Sequence, residues 1–550
     1  MRFSARALPH VTAAAILSTV ALAVPATSQP APGDVPGNLV GGASSTCFWN
    51  YGAFGADPNF NNAYPDAGAT YWAAYIRRPA GSTLSLTGTY PNARYFSFIS
   101  YDRVGQPIDG VADYQIAPDP GSSNPFQPGA RRDGPDAAST YTLDVDHAQN
   151  FDSATKQPLF TVRDPRNNEP ERNNLLTVPT AAAQGGTGIS LGTEIGSDGV
   201  TYELEQYLYR VYVPDNNGTI TGNVPMPEPV LTLANGDRLT GQSVCDATDS
   251  ESKDLKKTTG NADAIRLPDP TALNLDRKTY DALRHPETLA PGQQVQVFPA
   301  PGQPGKPLFQ IGRPVENPAT FPAEYNPGAE RTVDWRGQYD RRYLLQMYTG
   351  DDAPGASLTP PRTGGGFYPN IHNNYMRAAL SREYGQVAVV RGKLATSPKT
   401  SNGNPVMETG QVRYTSFCMN ESVLTTRVMN CAYDENVPTD SNGDYTIVVS
   451  LAGERPVNAN EACGNGWVEW SPKGDGGDDS NFGWFQVRNM LPDNNFRQAV
   501  QNTSTPGDEL AVMGEYLPNV EYMSTEEFEK LGCSANGSIG LGSSGFGSSN

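Results

Sequence analysis

The stretch Gln411-Val412-Arg413-Tyr414-Thr415-Ser416-Phe417 decides the reading of this chain, because the chain carries it twice. The other copy is Asn92-Ala93-Arg94-Tyr95-Phe96-Ser97-Phe98. Two further blocks follow each copy in the same order. Tyr141-Thr142-Leu143-Asp144-Val145 matches Tyr445-Thr446-Ile447-Val448-Val449, and Arg210-Val211-Tyr212-Val213-Pro214-Asp215-Asn216-Asn217 matches Arg488-Asn489-Met490-Leu491-Pro492-Asp493-Asn494-Asn495. Three blocks repeated in order predict a duplicated domain. Short alternating runs bounded by turn residues dominate elsewhere, as in Thr83–Thr87 and Gln386–Val390. Such runs predict β-strands of sandwiches or barrels.

The fold class expected is therefore mainly β, with two tandem jelly-roll-like β-sandwich domains, a long Pro-rich connector and few short helices. The expected division is 1–28 signal peptide, 29–245 first sandwich, 246–366 Pro/Gly-rich connector with local structure, 367–533 second sandwich and 534–550 disordered Gly/Ser tail. Asn373–Tyr384 spaces Met376, Ala379, Leu380 and Tyr384 as a helix does. Asp276–Arg284 reads as another helix, stopped by Pro286. Ser524-Thr525-Glu526-Glu527 has the form of a capping box, with Gly532 as a stop after Leu531. Tyr75-Ile76-Arg77-Arg78 pairs by eye with Val389-Val390-Arg391-Gly392, and Asn61-Asn62-Ala63-Tyr64 loosely with Asn373-Asn374-Tyr375.

Arg2 and Arg6 precede the apolar run Val11–Val24, and small residues follow at Ala21-Leu22-Ala23 and Ala26-Thr27-Ser28. This is the pattern of a cleaved secretory signal. The run is shorter than the roughly 20 apolar residues of a membrane span, and no second such stretch exists, so no span is expected after cleavage. The formal net charge of -19 argues against nucleic acid, whose phosphates demand a basic footprint. Behind a signal peptide, the six cysteines predict disulfides. Cys47 and Cys245 bracket the first copy, Cys418 and Cys431 lie in successive strand-like runs, and Cys463 with Cys533 would tie the last segment to the second copy. None has zinc-like spacing, so no metal site is expected.

Candidate ligand-binding residues are the repeated arginines, Arg94 with Arg413 and Arg210 with Arg488, together with His372. An arginine among aromatics on a strand needs a carboxylate or carbonyls if buried. It can equally anchor an anion or a ligand carboxylate. His372 follows the glycine run Gly364-Gly365-Gly366 and reads as a helix start or a pocket lip. Asp440-Ser441-Asn442-Gly443-Asp444 alternates oxygen ligands but lacks the pattern of an EF-hand, so no cofactor is expected, with calcium as the alternative. His147, after Asp144 and Asp146, reads as exposed. Trp467 and Trp470 read as sharing one strand face, in a core rather than on a sugar platform. No H-E-x-x-H occurs.

The Arg-Tyr-x-Ser-Phe strand, the Asn-Gly turn before Tyr445 and the Arg-x-x-x-Pro strand end resemble the bacterial proteins of domain of unknown function 1214. The second copy, Glu408–Asn495, is the nearer match, and Tyr71–Asn217 the more diverged. The resemblance implies a sandwich-like fold and a bacterial, exported setting, with no established chemistry. Family members tend to carry Trp after the Arg-Tyr pair, where Phe96 and Thr415 stand here.

The expected function is a secreted, non-catalytic binding or envelope-associated protein, with a small molecule or glycan as partner. The alternative is a secreted hydrolase of a polysaccharide or similar polymer, using carboxylates in an inter-domain cleft.

Overall fold

The computed structural model describes residues 47–55, 64–101, 107–130, 132, 139–147, 174–178, 193–215, 218–248, 333, 335, 368–400, 404–406, 410–421, 427–476, 479–503 and 508–534. It also describes the backbone of strands 151–152, 157–158, 294–297, 309–312 and 336–338. The signal segment, most of the connector, the Asp276–Arg284 stretch and the tail from 535 lie outside the described residues. Everything described belongs to one compact unit, Pro32–Asn550.

The protein is mainly β, in two lobes of two sheets each. The first lobe holds β1 (Tyr51–Phe54), β2 (Ala69–Pro79), β3 (Thr83–Thr89), β4 (Ala93–Tyr101), β5 (Pro107–Ala112), β6 (Thr140–Asp146), β7 (Leu175–Thr177), β8 (Thr201–Pro214), β9 (Glu228–Thr232) and β10 (Arg238–Thr240). Its front sheet runs β1-β2-β8-β4-β5 and its back sheet β10-β9-β3-β6-β7. The second lobe holds β11 (Trp335–Gln338), β12 (Asn373–Ser381), β13 (Val387–Lys393), β14 (Tyr414–Asn420), β15 (Val428–Tyr433), β16 (Asp444–Ser450), β17 (Gly466–Glu469), β18 (Phe482–Met490) and β19 (Asn519–Met523). Its sheets run β11-β12-β18-β14-β15 and β17-β16-β13-β19. The shared strands follow the same order, and the first lobe adds two: β10 at the edge of its back sheet and the short strand Thr193–Ile195 paired with β8. Even the parallel pairs correspond, β6 with β7 and β16 with β17.

Each core lies between a front and a back sheet. Phe96 and Phe98 of β4 meet Tyr141 of β6 at ring distances of 5.7 and 6.1 Å. In the second lobe Phe417 of β14 meets Tyr445 of β16 at 4.8 Å. The back strands alternate as half-buried strands do: β3 and β6 bury every second residue more deeply. The front strands β4, β5, β14 and β18 are buried at every position. Their second faces are covered by the other lobe, with Tyr212 against Tyr414 at 5.3 Å.

The disulfides join Cys47 to Cys245, Cys418 to Cys431 and Cys463 to Cys533. Cys418 and Cys431 face one another directly across β14 and β15. Ser524 and Glu527 form the predicted capping box on the helix Thr525–Lys530. Gly532 follows with φ of 64°, a conformation costly for residues with a Cβ. No helix among the described residues is long and apolar enough to cross a membrane.

Several expectations are corrected. Asn373–Tyr384 is no helix: β12 and a short 3-10 turn, Arg382–Tyr384, replace it. Pairing with β18 along all of Asn373–Ser381 outweighs the helical spacing of a few apolar residues. Tyr75–Arg78 lies in the front strand β2, whereas Val389–Gly392 lies in the back strand β13, so those stretches do not correspond. Trp467 and Trp470 are three apart and fall on opposite faces. Trp470 fills the second core, while Trp467 packs under Arg455, 4.4 Å from its ring centroid. His147 is largely covered and lies 3.1 Å from Glu205. The stretch read as connector supplies β11, whose Trp335 packs in the second core.

Candidate functional site

The repeated arginines converge on the seam between the two front sheets. Arg94 of β4 reaches Asp434 and Glu435, which follow β15. Arg413, just before β14, reaches Asp113, which follows β5, at 2.6 Å. The two pairs are reciprocal: each lobe sends its arginine to the other lobe's aspartate. Both aspartates also cap their own lobe, Asp113 accepting from Phe96 N at 3.0 Å and Asp434 from Thr415 N at 2.8 Å. This is the residue-to-residue exchange of an isologous contact, made here within one chain. Burial opposes the Arg94 charge, but its two carboxylates push its pKa above the ordinary value. Burial pushes Asp113 up, with Arg413 and two backbone N–H groups opposing.

Arg488 and Arg210 lie deeper, at equivalent points of β18 and β8. Each receives a strap from before the partner strand β2 or β12. The first strap is Tyr64-Pro65-Asp66 and the second Tyr368-Pro369-Asn370. Tyr64 and Tyr368 share a left-handed backbone, with φ of 54° and 50°. Arg488 Nη2 donates to the Tyr64 carbonyl at 2.7 Å, and Arg210 Nη2 to the Tyr368 carbonyl at 2.9 Å. Tyr375 stands 5.6 Å from Arg488, and Tyr71 5.7 Å from Arg210. This register aligns Tyr64 with Tyr368, in place of the looser match with Asn373-Asn374-Tyr375.

The two halves then part. Around Arg488, the Asp66 carboxylate accepts from Gly68 N at 3.0 Å, Tyr414 Oη at 2.7 Å, Ser416 Oγ at 2.6 Å and Arg488 Nη1 at 2.9 Å. Arg488 Nη1 also lies 2.7 Å from Cys418 Sγ, so the disulfide floors this half. A Cβ at Gly68 would collide with the Tyr414 hydroxyl. Burial works against the Arg488 charge, and Asp66 together with Tyr71, Tyr375 and Tyr212 more than offsets it.

Around Arg210, Asn370 stands where Asp66 does. Its Oδ1 accepts from His372 N at 3.0 Å and from Tyr95 Oη at 3.2 Å. These match the bonds that Asp66 Oδ1 takes from Gly68 and Tyr414. His372 replaces Gly68, and its Nδ1 lies 2.6 Å from Tyr95 Oη. Arg210 also donates to Tyr101 Oη, which in turn donates to the Pro369 carbonyl at 2.8 Å. No carboxylate among the described residues pairs with Arg210. Burial opposes its charge, and the surrounding Tyr101, Tyr212 and Tyr71 hydroxyls offset that. Burial raises Tyr71 and Tyr95 well above the ordinary phenol range and Tyr212 to about 12, so these hydroxyls stay protonated.

All five candidate ligand residues, Arg94, Arg413, Arg210, Arg488 and His372, are thus buried at one seam. Sequence reading missed their partners Asp66, Asp113, Asp434 and Glu435. The Tyr-Pro-Asp and Tyr-Pro-Asn doublet was the signal for one of them. Asp66 and the sulfurs of Cys418 and Cys431 come within 4.8 Å of one another, but the sulfurs are spent in the disulfide. The Asp440 carboxylate closes its own hairpin tip, accepting from Asn442 N at 2.8 Å and Asp444 N at 3.0 Å.

A second cluster lies at an end of the first lobe. Glu205 accepts from Arg78 Nε at 2.6 Å and from Tyr207 Oη, and faces His147. Burial resists its charge, but His147 and Arg78 pull its pKa down to about 2.

No family model matches the chain, and no curated protein matches it. Among solved structures it is similar to an uncharacterized protein from Burkholderia cenocepacia, at 10% identity and TM-score 0.37, covering 85% of this chain and 79% of that one. It is also similar to the VPA0106 protein from Vibrio parahaemolyticus, at 11% identity and TM-score 0.30, covering 86% and 92%. These scores carry no functional argument.

Proposed function

We propose that the protein is exported and non-catalytic, a binding or envelope-associated protein whose two lobes act as one body toward a small-molecule or glycan partner. One observation carries this reading: the seam carboxylates are committed to structure. Asp66, Asp113, Asp434 and Glu435 each pair with an arginine of the opposite lobe. A glycosidase-like site needs a carboxylic acid and a carboxylate facing a shared substrate position. Carboxylates held by guanidinium groups do not supply that proton traffic. The three disulfides support an oxidising compartment, and the acidic net charge of -19 supports solubility there. Membership of domain of unknown function 1214 is part of this proposal, supported by the Arg-Tyr-x-Ser-Phe strand, the Asn-Gly turn before Tyr445 and the Arg-x-x-x-Pro strand end.

The test is direct. Purified protein is screened for turnover of glycan, ester and peptide substrates, and for binding on a glycan array. Binding without turnover is expected. Turnover abolished by a single Asp or Glu substitution sinks the proposal in favour of the hydrolase.

A further inference from the structure

The second oxygen of Asp66, Oδ2, is held by Ser416 Oγ and Arg488 Nη1. Ser416 and Arg488 are register partners on β14 and β18, just as Ser97 and Arg210 are on β4 and β8. Direct cross-strand partners project side by side. In the Arg210 half the atom matching Oδ2 is Asn370 Nδ2, because Oδ1 is pinned by the backbone N–H of His372. A flip of the amide would set Nδ2 against that N–H. By this correspondence Arg210 Nη1, Ser97 Oγ and Asn370 Nδ2 take the places at which Arg488 Nη1, Ser416 Oγ and Asp66 Oδ2 meet in the other half. Among the described residues none of the three completes a hydrogen bond, and the residues are 2%, 0% and 2% exposed. Ser97 lies near enough to Tyr95 to affect its ionisation, but without a bond of good geometry.

Buried polar groups are nearly always paired, and an unpaired buried charge is costly. A positive guanidinium, a hydroxyl and an amide N–H₂ with no acceptor between them are the inverse of what surrounds Arg488. What they lack is the negative charge that Asp66 supplies in the other half.

We propose that the seam binds a small monovalent anion between Arg210 Nη1, Ser97 Oγ and Asn370 Nδ2. The anion does for the Arg210 half what the Asp66 carboxylate does for the Arg488 half. Chloride and a small free carboxylate share the required chemistry: one negative charge, small radius and no donor. The proposal stands whether the protein binds a partner or turns over a substrate, since it concerns only how the lobes are joined.

The experiment uses the full chain with its disulfides intact. Thermal unfolding is followed in sodium chloride, bromide and acetate against sodium isethionate, a bulky reference anion, at constant ionic strength. A ligand that binds only the folded state raises Tm with its concentration. The expected result is a saturating rise of roughly 2–4 °C in chloride or acetate. Asn370→Asp is expected to abolish that dependence, and Arg210→Met to abolish it too. A bromide-soaked crystal is expected to show an anomalous peak between Arg210 and Ser97. Response to halides alone assigns the site to a free halide, and response to acetate alone to a carboxylate. The same Tm in all four salts, with no bromide peak, overturns the proposal. If Asn370→Asp does not fold, the bromide and wild-type salt series still decide it.

Discussion

The half around Arg488 and the half around Arg210 share backbone, register and strap, yet they solve the burial of an arginine differently. The Arg488 half is closed: Asp66 neutralises the guanidinium, Gly68 makes room for Tyr414, and a disulfide lies beneath. The Arg210 half has Asn370 for Asp66, His372 for Gly68, and Ile99 facing Gly110 where Cys418 faces Cys431. Gly110 is small because Ile371 of the strap occupies its side-chain space. The comparison teaches that two lobes of like topology can keep one geometry while their charges differ. The half without a carboxylate is the half in which the anion is proposed to bind.

The comparison breaks most sharply on the arginines. Arg488→Met strands Asp66 as a buried, unpaired charge and is expected to cost about 3–5 kcal/mol. Arg210→Met strands no carboxylate and is expected to cost less than half as much. Equal losses in urea denaturation would erase the distinction between the halves. Next come the covalent differences. Replacing Cys418 and Cys431 by alanine opens a loop of sequence separation 13, and about 3 kcal/mol is expected to be lost in the loop-entropy model. Non-reducing denaturant titration of the double variant checks this.

Acid separates the lobes as well, because Glu205 belongs to the first alone. Its folded pKa, about 2, lies below the 4.5 of a free glutamate side chain. Its contribution is therefore present above pH 4.5 and lost as the pH falls toward 2, on the order of 3 kcal/mol in all. Glu205→Gln is expected to flatten the stability–pH slope in that window, measured by Tm from pH 5 to pH 2. An unchanged slope would assign the acid sensitivity elsewhere. The smallest effect sharpens the comparison most. Asn370→Asp is expected to stabilise the protein by about 1.5–3 kcal/mol in isethionate, by giving Arg210 a charged acceptor. Asp66→Asn, made separately, is expected to create anion-dependent stability in the other half, read as a new salt dependence of Tm.

Much of the fold was legible in the repeated blocks, since period-2 alternation and Asn-Gly turns report strands locally. The cysteine pairs were legible too: Cys47 and Cys245 bracket the first copy, Cys418 and Cys431 sit in successive strand-like runs, and Cys463 with Cys533 ties the last segment to the second copy. β12 was misread for a physical reason. A strand buried on both faces loses its alternation, and the residues left over in Asn373–Tyr384 happened to fall at helical spacing. The arginines were legible as candidates, but their partners were not. Asp113 lies 300 positions from Arg413, and nothing local marks an aspartate as the acceptor of a distant guanidinium.

The sequence by itself determined the class of fold and the disulfide framework, because those rest on short-range chemistry: strand periodicity, turn residues and the spacing of cysteines. Only the tertiary structure decided what the repeated arginines do. It placed Arg94 and Arg413 in reciprocal pairs, gave Arg488 its aspartate and gave Arg210 an asparagine. Charge compensation in a buried seam depends on which side chains meet across it, and that is settled when the two front sheets pack.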